Sequence, residues 1–306
     1  MVTPNDSQHS VMDIGGSAQI QCDLAKYIGK KGLRFHDRSS KLTMTAVQIL
    51  LNETKLLDRY PSHEVNLVVG SDGALQSQDE VVREAVFTPK LMNPKAYPNR
   101  GCNVIAGQVS LMFNFLGEST VISSGYRSGI DALIYAVRKV LVSSKNSPYV
   151  VAVGEGLSEA RAWRRKHKTR SGTQYLSPIE GAVALSVEKG NCFSAPTEDI
   201  YQVVGYQQAR QETSSEVHIQ EFIASLGYDI QEIDVMIIAL EDVIQVWNKM
   251  TSQIVPYDVF GATTLLKLSE IIGLDNYVYS QDLPKTIAIY QSDQSSNASM
   301  ILLRRK

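Results

Sequence analysis

The stretch from Ser119 to Leu133 is the place in this 306-residue chain where a single side chain is set up for chemistry. Ser119 to Leu133 reads as a short strand, a tight turn and an amphipathic helix. Ile130, Leu133, Ile134, Val137, Val140 and Leu141 then form one apolar stripe of an amphipathic helix. A strand, a turn and a helix in that order hold one side chain at a helix N-terminus, where the helix dipole assists a nucleophile. The side chain here is Tyr126. A phenol has a pKa near ~10 and is neutral at physiological pH, so it is a poor nucleophile. It can serve as an acid or hydrogen-bond donor, or its ring can fill space while its hydroxyl meets a local partner.

Other residues of chemical interest carry weaker signals. Glu241 and Asp242 can pair as two carboxylates or be a solvated strand end. Arg161, Arg164, Arg165, Lys166, His167, Lys168 and Arg170 are the most charge-dense segment. They read either as a docking surface for an acidic protein, whose on-rate such charges raise, or as a solvated loop. Trp163 alone interrupts them, too isolated an aromatic for a nucleic-acid surface. Gly70-Ser71-Asp72-Gly73 and Gly154-Glu155-Gly156 follow strands but match neither a phosphate loop nor a dinucleotide fingerprint. Cys22, Cys102 and Cys192 have neither zinc-like nor disulfide-like spacing, and no His/Cys/Asp cluster has metal-ligand spacing. No cofactor and no metal are therefore expected. A net charge of −2 gives no reason to expect nucleic acid or an anionic membrane as partner. No apolar run approaches the ~20 residues that span a bilayer. Met1 to Ser10 lacks the apolar core of a signal peptide, and a reducing cytoplasm is the expected setting.

These residues need elements to position them. Residues 1–20 read as a polar lead-in. Leu42 to Leu57, 78–87, Val104 to Leu116, Val217 to Leu226 and Gly261 to Ile272 read as helices. Val65 to Gly70, Tyr149 to Gly154, Gly181 to Glu188, Ile200 to Tyr206, Asp234 to Leu240, Thr286 to Tyr290 and Ala298 to Leu303 read as strands. Residues 88–103 and 160–175 read as loops. Strands alternating with helices predict an α/β architecture. The chain reads as one unit with two similar halves, at about 24–160 and 176–306, without a sequence repeat.

Five segments in order resemble the β-ketoacyl synthases of the thiolase fold. Gly29-Lys30-Lys31-Gly32-Leu33-Arg34-Phe35-His36-Asp37-Arg38 is similar to the family's GRKGLRxLDR element. Pro98-Asn99, Ala106-Gly107-Gln108 and Phe113 to Glu118 resemble PN…AGQ…FGLRGP. Ser123 to Leu133 resembles the nucleophile turn STACASGLDAL, Glu180 to Glu188 the strand EGAAALVLE, and Tyr290 to Arg305 the ending SFGFGGTNASLVLRR. The resemblance implies a layered αβαβα thiolase-like fold of two related halves, shortened relative to full ketosynthases. It also implies a dimer in which the strand before the turn, Ser119, Thr120, Val121, Ile122, Ser123 and Ser124, pairs with its mate.

The departures from the family fall on its chemistry. Its nucleophilic cysteine corresponds to Tyr126, its first histidine to Leu240, its second to Asp258, and its lysine to Gln253. None of the histidines lies beyond His218. The phenylalanine gate with its glycines corresponds to Ser292-Asp293-Gln294-Ser295, which lacks glycine. The resemblance therefore implies a chain-length-factor-like subunit without its own catalytic residues. Such a subunit would pair with an active β-ketoacyl synthase in polyketide, polyene or fatty-acid-derived biosynthesis. In that setting Tyr126 plugs the acyl channel, and the basic segment at 161–170 would receive an acyl carrier protein. Asp258 reads as a helix cap or a general base. The alternatives are a residual decarboxylase or acyl-transfer enzyme using Tyr126 and Asp258, and a homodimeric scaffold.

Overall fold

A computed structural model describes residues 10–14, 17–21, 23–30, 32–33, 36–72, 76–91, 101, 103–158, 177–189, 201–240, 243–248, 252–254, 257–258, 260–272, 284–293 and 295–305. In chain order, the first half contains the strands β1 (Ser10–Ile14) and β2 (Ser17–Gln21). Helices α1 (Ala25–Ile28), α2 (Arg38–Thr54) and α3 (Leu56–Arg59) follow. Strand β3 (Asn66–Gly70), helices α4 (Gln76–Phe87) and α5 (Asn103–Phe113), strand β4 (Ser119–Ile122), helix α6 (Ser128–Val142) and strand β5 (Tyr149–Glu155) come next. Strands β6 (Ser177–Pro178), β7 (Gly181–Val187) and β8 (Tyr201–Arg210) precede helix α7 (Ser215–Ser225). The chain closes with β9 (Val235–Leu240), β10 (Val243–Asn248), β11 (Ser252–Ile254), β12 (Tyr257–Asp258), α8 (Thr263–Ile272), β13 (Thr286–Ser292) and β14 (Asn297–Arg305).

Two sheets dominate, in the orders β4-β3-β5-β7 and β11-β10-β9-β13-β14-β8. The strands β3, β5, β13 and β14 are buried almost throughout and apolar on both faces because each sheet is covered on both sides. The period-two alternation of a strand sorts its residues between the two faces. Val68, Val151 and Val153 of the first sheet, and Ile237, Ile289 and Ile301 of the second, pack onto one shared core with α6 and α8. Leu67, Val69, Val150 and Ala152 turn the other way, onto α2 and α5. Met236, Ala288, Met300 and Leu302 turn onto α7. The layers run helix, sheet, helix, sheet, helix, with α6 and α8 in the middle.

The halves repeat one pattern. β3 lies parallel to β5, which lies antiparallel to β7; likewise β9 lies parallel to β13, which lies antiparallel to β14. β7 falls beyond residue 176 yet belongs to the first sheet, so the sheets change over after β7 rather than near residue 160.

Several local features differ from the expectations. Residues 1–20, read as a loose lead-in, contain the antiparallel pair β1–β2. Gly15-Gly16 between its strands is a hairpin signal. Helix α2 starts at Arg38, earlier than its apolar stripe, because the Asp37 side chain accepts the Ser40 N–H at 2.7 Å and caps it. Helix α5 stops at Phe113, where Asn114 takes a left-handed φ of 54°. The strands β10 and β11 were not foreseen. β10 is antiparallel to β9, with Leu240 opposite Val243, and Val243 to Trp247 is rich in β-branched and aromatic residues.

Two arginine–carboxylate pairs anchor β7 to the helices that cover it. Arg38, which opens α2, donates to Glu180 through Nε at 3.1 Å and Nη2 at 2.5 Å. Arg59, which closes α3, forks onto Glu188, with Nη2 3.0 Å from Oε1. Arg38 thus ties the start of α2 to the residue before β7, and Arg59 ties the end of α3 to the residue after it.

Candidate functional site: a degenerate nucleophile turn

The turn is assembled from both halves. β4 ends at Ile122, Gly125 takes a φ of +64°, and Gly125–Arg127 form a single 3-10 turn leading into α6. That positive φ is why glycine stands at 125. The buried Ser128 hydroxyl lies 2.6 Å from the carbonyl oxygens of both Ser71 and Gly125 and accepts the Ser124 N–H at 3.0 Å. Its three contacts tie the end of β3 to the turn. One residue on, a Cβ at Gly129 would run into the Gly261 carbonyl oxygen, so only glycine lets α6 approach the second half this closely.

Tyr126 is half-buried. Its backbone carbonyl accepts the Gln291 side-chain N–H at 2.6 Å, and Gln291 Oε1 accepts the Thr264 hydroxyl at 2.6 Å. Both partners belong to the second half. Arg127 donates from Nε to Asp293 Oδ2 at 2.9 Å and from Nη1 to Ser299 Oγ at 3.0 Å, and its Nη1 stands 3.2 Å from Asp131 Oδ2. Asp131 is buried and also accepts the Ser124 hydroxyl at 2.6 Å, the Gln208 amide at 2.8 Å and the Ser299 hydroxyl. Asp293 accepts the N–H groups of Ser295 and Asn297 at 2.9 and 3.0 Å. Burial works against its ionisation, but the Asn297 backbone bond and Arg127 outweigh it and hold its carboxyl below the ordinary value. The polar groups that surround the turn thus hold one another.

The other positions matched to family residues lie on strands. Leu240 is the last residue of β9, Gln253 lies in β11 opposite Val246, and Asp258 lies in β12 opposite Pro178. Asp258 precedes α8 in the chain. A 3-10 turn, Phe260–Ala262, separates it from the first helical residue, Thr263. That 3-10 turn packs against Gly125–Arg127. Arg161, Arg164, Arg165, Lys166 and Lys168, and the pair Glu241–Asp242, lie outside the described residues. Among the described residues no group of three or more His, Cys, Asp and Glu is placed to hold a metal, and no helix is long and apolar enough to cross a membrane.

The sequence reading did not single out Arg127, Asp131, Gln208 or Gln291. Arg127 carries a legible signal. A cation at the start of a helix opposes the helix dipole, which calls for a nearby anion, and Asp131 stands one helical turn on.

The strand leading to the turn has a described neighbour on one side. Among the described residues β4 pairs with β3 alone. Glu118, just before β4, gathers Lys139 Nζ at 2.8 Å, Tyr135 Oη at 2.6 Å and Tyr149 Oη at 2.9 Å. Burial raises the Glu118 carboxyl, but the bonds from Lys139, Tyr135 and Tyr149 outweigh it and hold it below its ordinary 4.5. The bond to Glu118 in turn raises Lys139, while burial and then Glu118 push the Tyr149 phenol up. A carboxyl with a lowered folded-state pKa contributes stability that is complete above its unfolded value and is lost as pH falls through the folded one. Wild type is therefore expected to lose more stability than Glu118→Gln between about pH 5 and about pH 3. Urea midpoints across that range measure it, and parallel pH profiles for the two proteins would refute it.

The arrangement of turn, layers and paired halves matches a known family. A model of the β-ketoacyl synthase N-terminal domain matches residues 13–174, more than half of the chain. The chain belongs to the β-ketoacyl synthase family. A comparison with curated proteins finds no match. Among solved structures, the ishigamide ketosynthase/chain length factor is similar with a TM-score of 0.74 at 16% identity, over 97% of this chain and 91% of that one. A type II PKS acyl-carrier protein in complex with its ketosynthase bound to the hexaketide is similar with a TM-score of 0.67 at 18% identity, over 93% and 88%. A β-ketoacyl synthase from Burkholderia phymatum STM815 gives 0.69 at 14%, over 95% and 88%. At these identities the likenesses establish the thiolase-like ketosynthase fold.

Proposed function

We propose that this chain is a non-catalytic, chain-length-factor-like subunit. In this reading it completes a heterodimer with an active β-ketoacyl synthase in cytoplasmic polyketide, polyene or fatty-acid-derived biosynthesis. The observation that carries the reading is the turn at 125–127. It is a strand–turn–helix held by the second half through Gln291, and Tyr126 stands where the resemblance puts the family's cysteine. A family member with a built turn and no cysteine at that position retains a use for the fold without the acyl-transfer step. The partner would supply the cysteine, the histidines and the condensation.

The interface in this reading is the β4 edge, Ser119 to Ser124. Around it stand apolar side chains left in solvent by the single chain. Leu111 on α5, the helix packed on β4, is 85% exposed, and Leu116 is 68% exposed. Exposed apolar groups beside a strand edge favour association with another chain. A structural neighbour described as a ketosynthase/chain length factor supports the choice of partner class. One described as an acyl-carrier protein in complex with its ketosynthase supports a carrier protein as a further partner, with Arg161, Arg164, Arg165, Lys166 and Lys168 as the proposed docking charges.

Co-expression with the cysteine-containing ketosynthase encoded beside it tests the reading. The two are expected to co-purify at a one-to-one ratio. A chain that is soluble and homodimeric alone, and never retains such a ketosynthase, would refute the heterodimer and leave the homodimeric scaffold.

A further inference from the structure

Arg127 occupies a costly position. It begins a helix, where the dipole disfavours a cation, and its side chain is only 13% exposed. Burial of a guanidinium is tolerated where carboxylates and further hydrogen-bond partners surround it. Asp131 comes from the same helix, but Asp293 and Ser299 come from the β13–β14 hairpin of the other half.

Asp293 divides its two oxygens between two tasks. Oδ1 accepts the N–H groups of Ser295 and Asn297 and so shapes the hairpin tip. Oδ2 faces Arg127 Nε at 2.9 Å. The tip also contains Ser296 at a φ of 60°, a left-handed conformation that a residue other than glycine adopts when its surroundings impose it. A short distance along β13, Gln291 holds the Tyr126 carbonyl. The tip and the turn are thus joined at two points along one strand.

We propose that the Arg127–Asp293 pair is a latch that fixes the β13–β14 tip to the turn at 125–127, so that neither opens without the other. The latch is independent of which subunit the chain pairs with. It differs from a simple hairpin-forming role for Asp293 in requiring that the tip and the turn respond together to a change at either residue.

Amide hydrogen exchange on the full-length chain, read by mass spectrometry, separates these possibilities. Asp293→Asn keeps an oxygen for the tip and removes the charge that holds Arg127. Peptides spanning 124–131 and 291–298 are both expected to exchange at least about tenfold faster, corresponding to about 1.4 kcal/mol of local opening. Peptides from β3 and β5 should stay unchanged. Faster exchange confined to 291–298, or none in either segment, would overturn the latch. Arg127→Lys, which keeps the charge and loses the fork, provides a milder second variant if the first does not fold. It must raise exchange in both segments, and a rise at 124–131 alone refutes the coupling. Loss of the latch with retained ketosynthase co-purification would leave the proposed function standing, and the reverse outcome would leave the latch standing.

Discussion

Arg38→Ala is expected to destabilise the protein by about 3–5 kcal/mol, the cost of breaking a buried ion pair by removing one partner. Glu180 has no exposed side-chain surface, and Arg38 forks onto it. The arginine is itself 26% exposed, so water reaches part of the vacated space and the lower end of the range applies. The pair joins two segments that resemble the family in sequence, the stretch ending at Arg38 and the strand beginning at Glu180. It holds the start of α2 against the start of β7. The double variant Arg38→Leu/Glu180→Leu should recover most of the loss, because it removes both charges and with them the need for a partner. Urea unfolding with an unchanged m-value measures both. A loss below about 1 kcal/mol for Arg38→Ala would mean that the pair is solvated rather than structural.

The second large effect concerns assembly. In the β3–β4 ladder the Leu67 N–H reaches the Glu118 carbonyl and the Ser71 N–H reaches the Ile122 carbonyl. With Leu67 opposite Ser119, that parallel pattern turns the Thr120 N–H toward β3 and the Val121 N–H away from it. Val121→Pro therefore removes a donor from the edge turned away from β3 and leaves the internal ladder intact, which is where a strand accepts proline. It is expected to weaken the proposed heterodimer by about tenfold or more, through a lost hydrogen bond and a ring set against the partner. Thr120→Pro, one residue away, should instead damage the fold. Sedimentation of the co-purified complex at falling concentration reads the first, and circular dichroism reads the second. An unchanged complex with Val121→Pro would place the interface elsewhere.

Much of the fold could be read from the sequence because its strands are buried on both faces. Tyr149 to Gly154 and Asp234 to Leu240 are continuous apolar runs, and the α6 stripe has helical spacing; all three match elements of the structure. The strands β10, β11 and β12 were harder to see, since short segments carry little periodicity. The β1–β2 hairpin was hidden in a polar composition that resembles a loose terminus. At the site, Tyr126 and the Ser292–Ser295 stretch were legible as departures from a family pattern. What those departures do was not legible. Arg127 meets Asp293 and Ser299, and Gln208 meets Asp131, across long separations in the chain. A single sequence does not state which distant residues will share a buried charge.

The middle layer of helices has a consequence for the order in which the protein can be made. Helix α6 is synthesised early, and the part of its apolar surface turned away from the first sheet is covered only when α8 and the inward residues Ile289, Ile301 and Leu303 of the last strands arrive. During translation, everything up to Val187 therefore leaves the ribosome as a sheet and helices with half of their shared core open to water. Exposed apolar surface of that kind makes a nascent chain prone to aggregate until the last strand docks. A cut in the linking segment after β7 yields two fragments that must find each other to bury that surface, and neither has a complete core of its own.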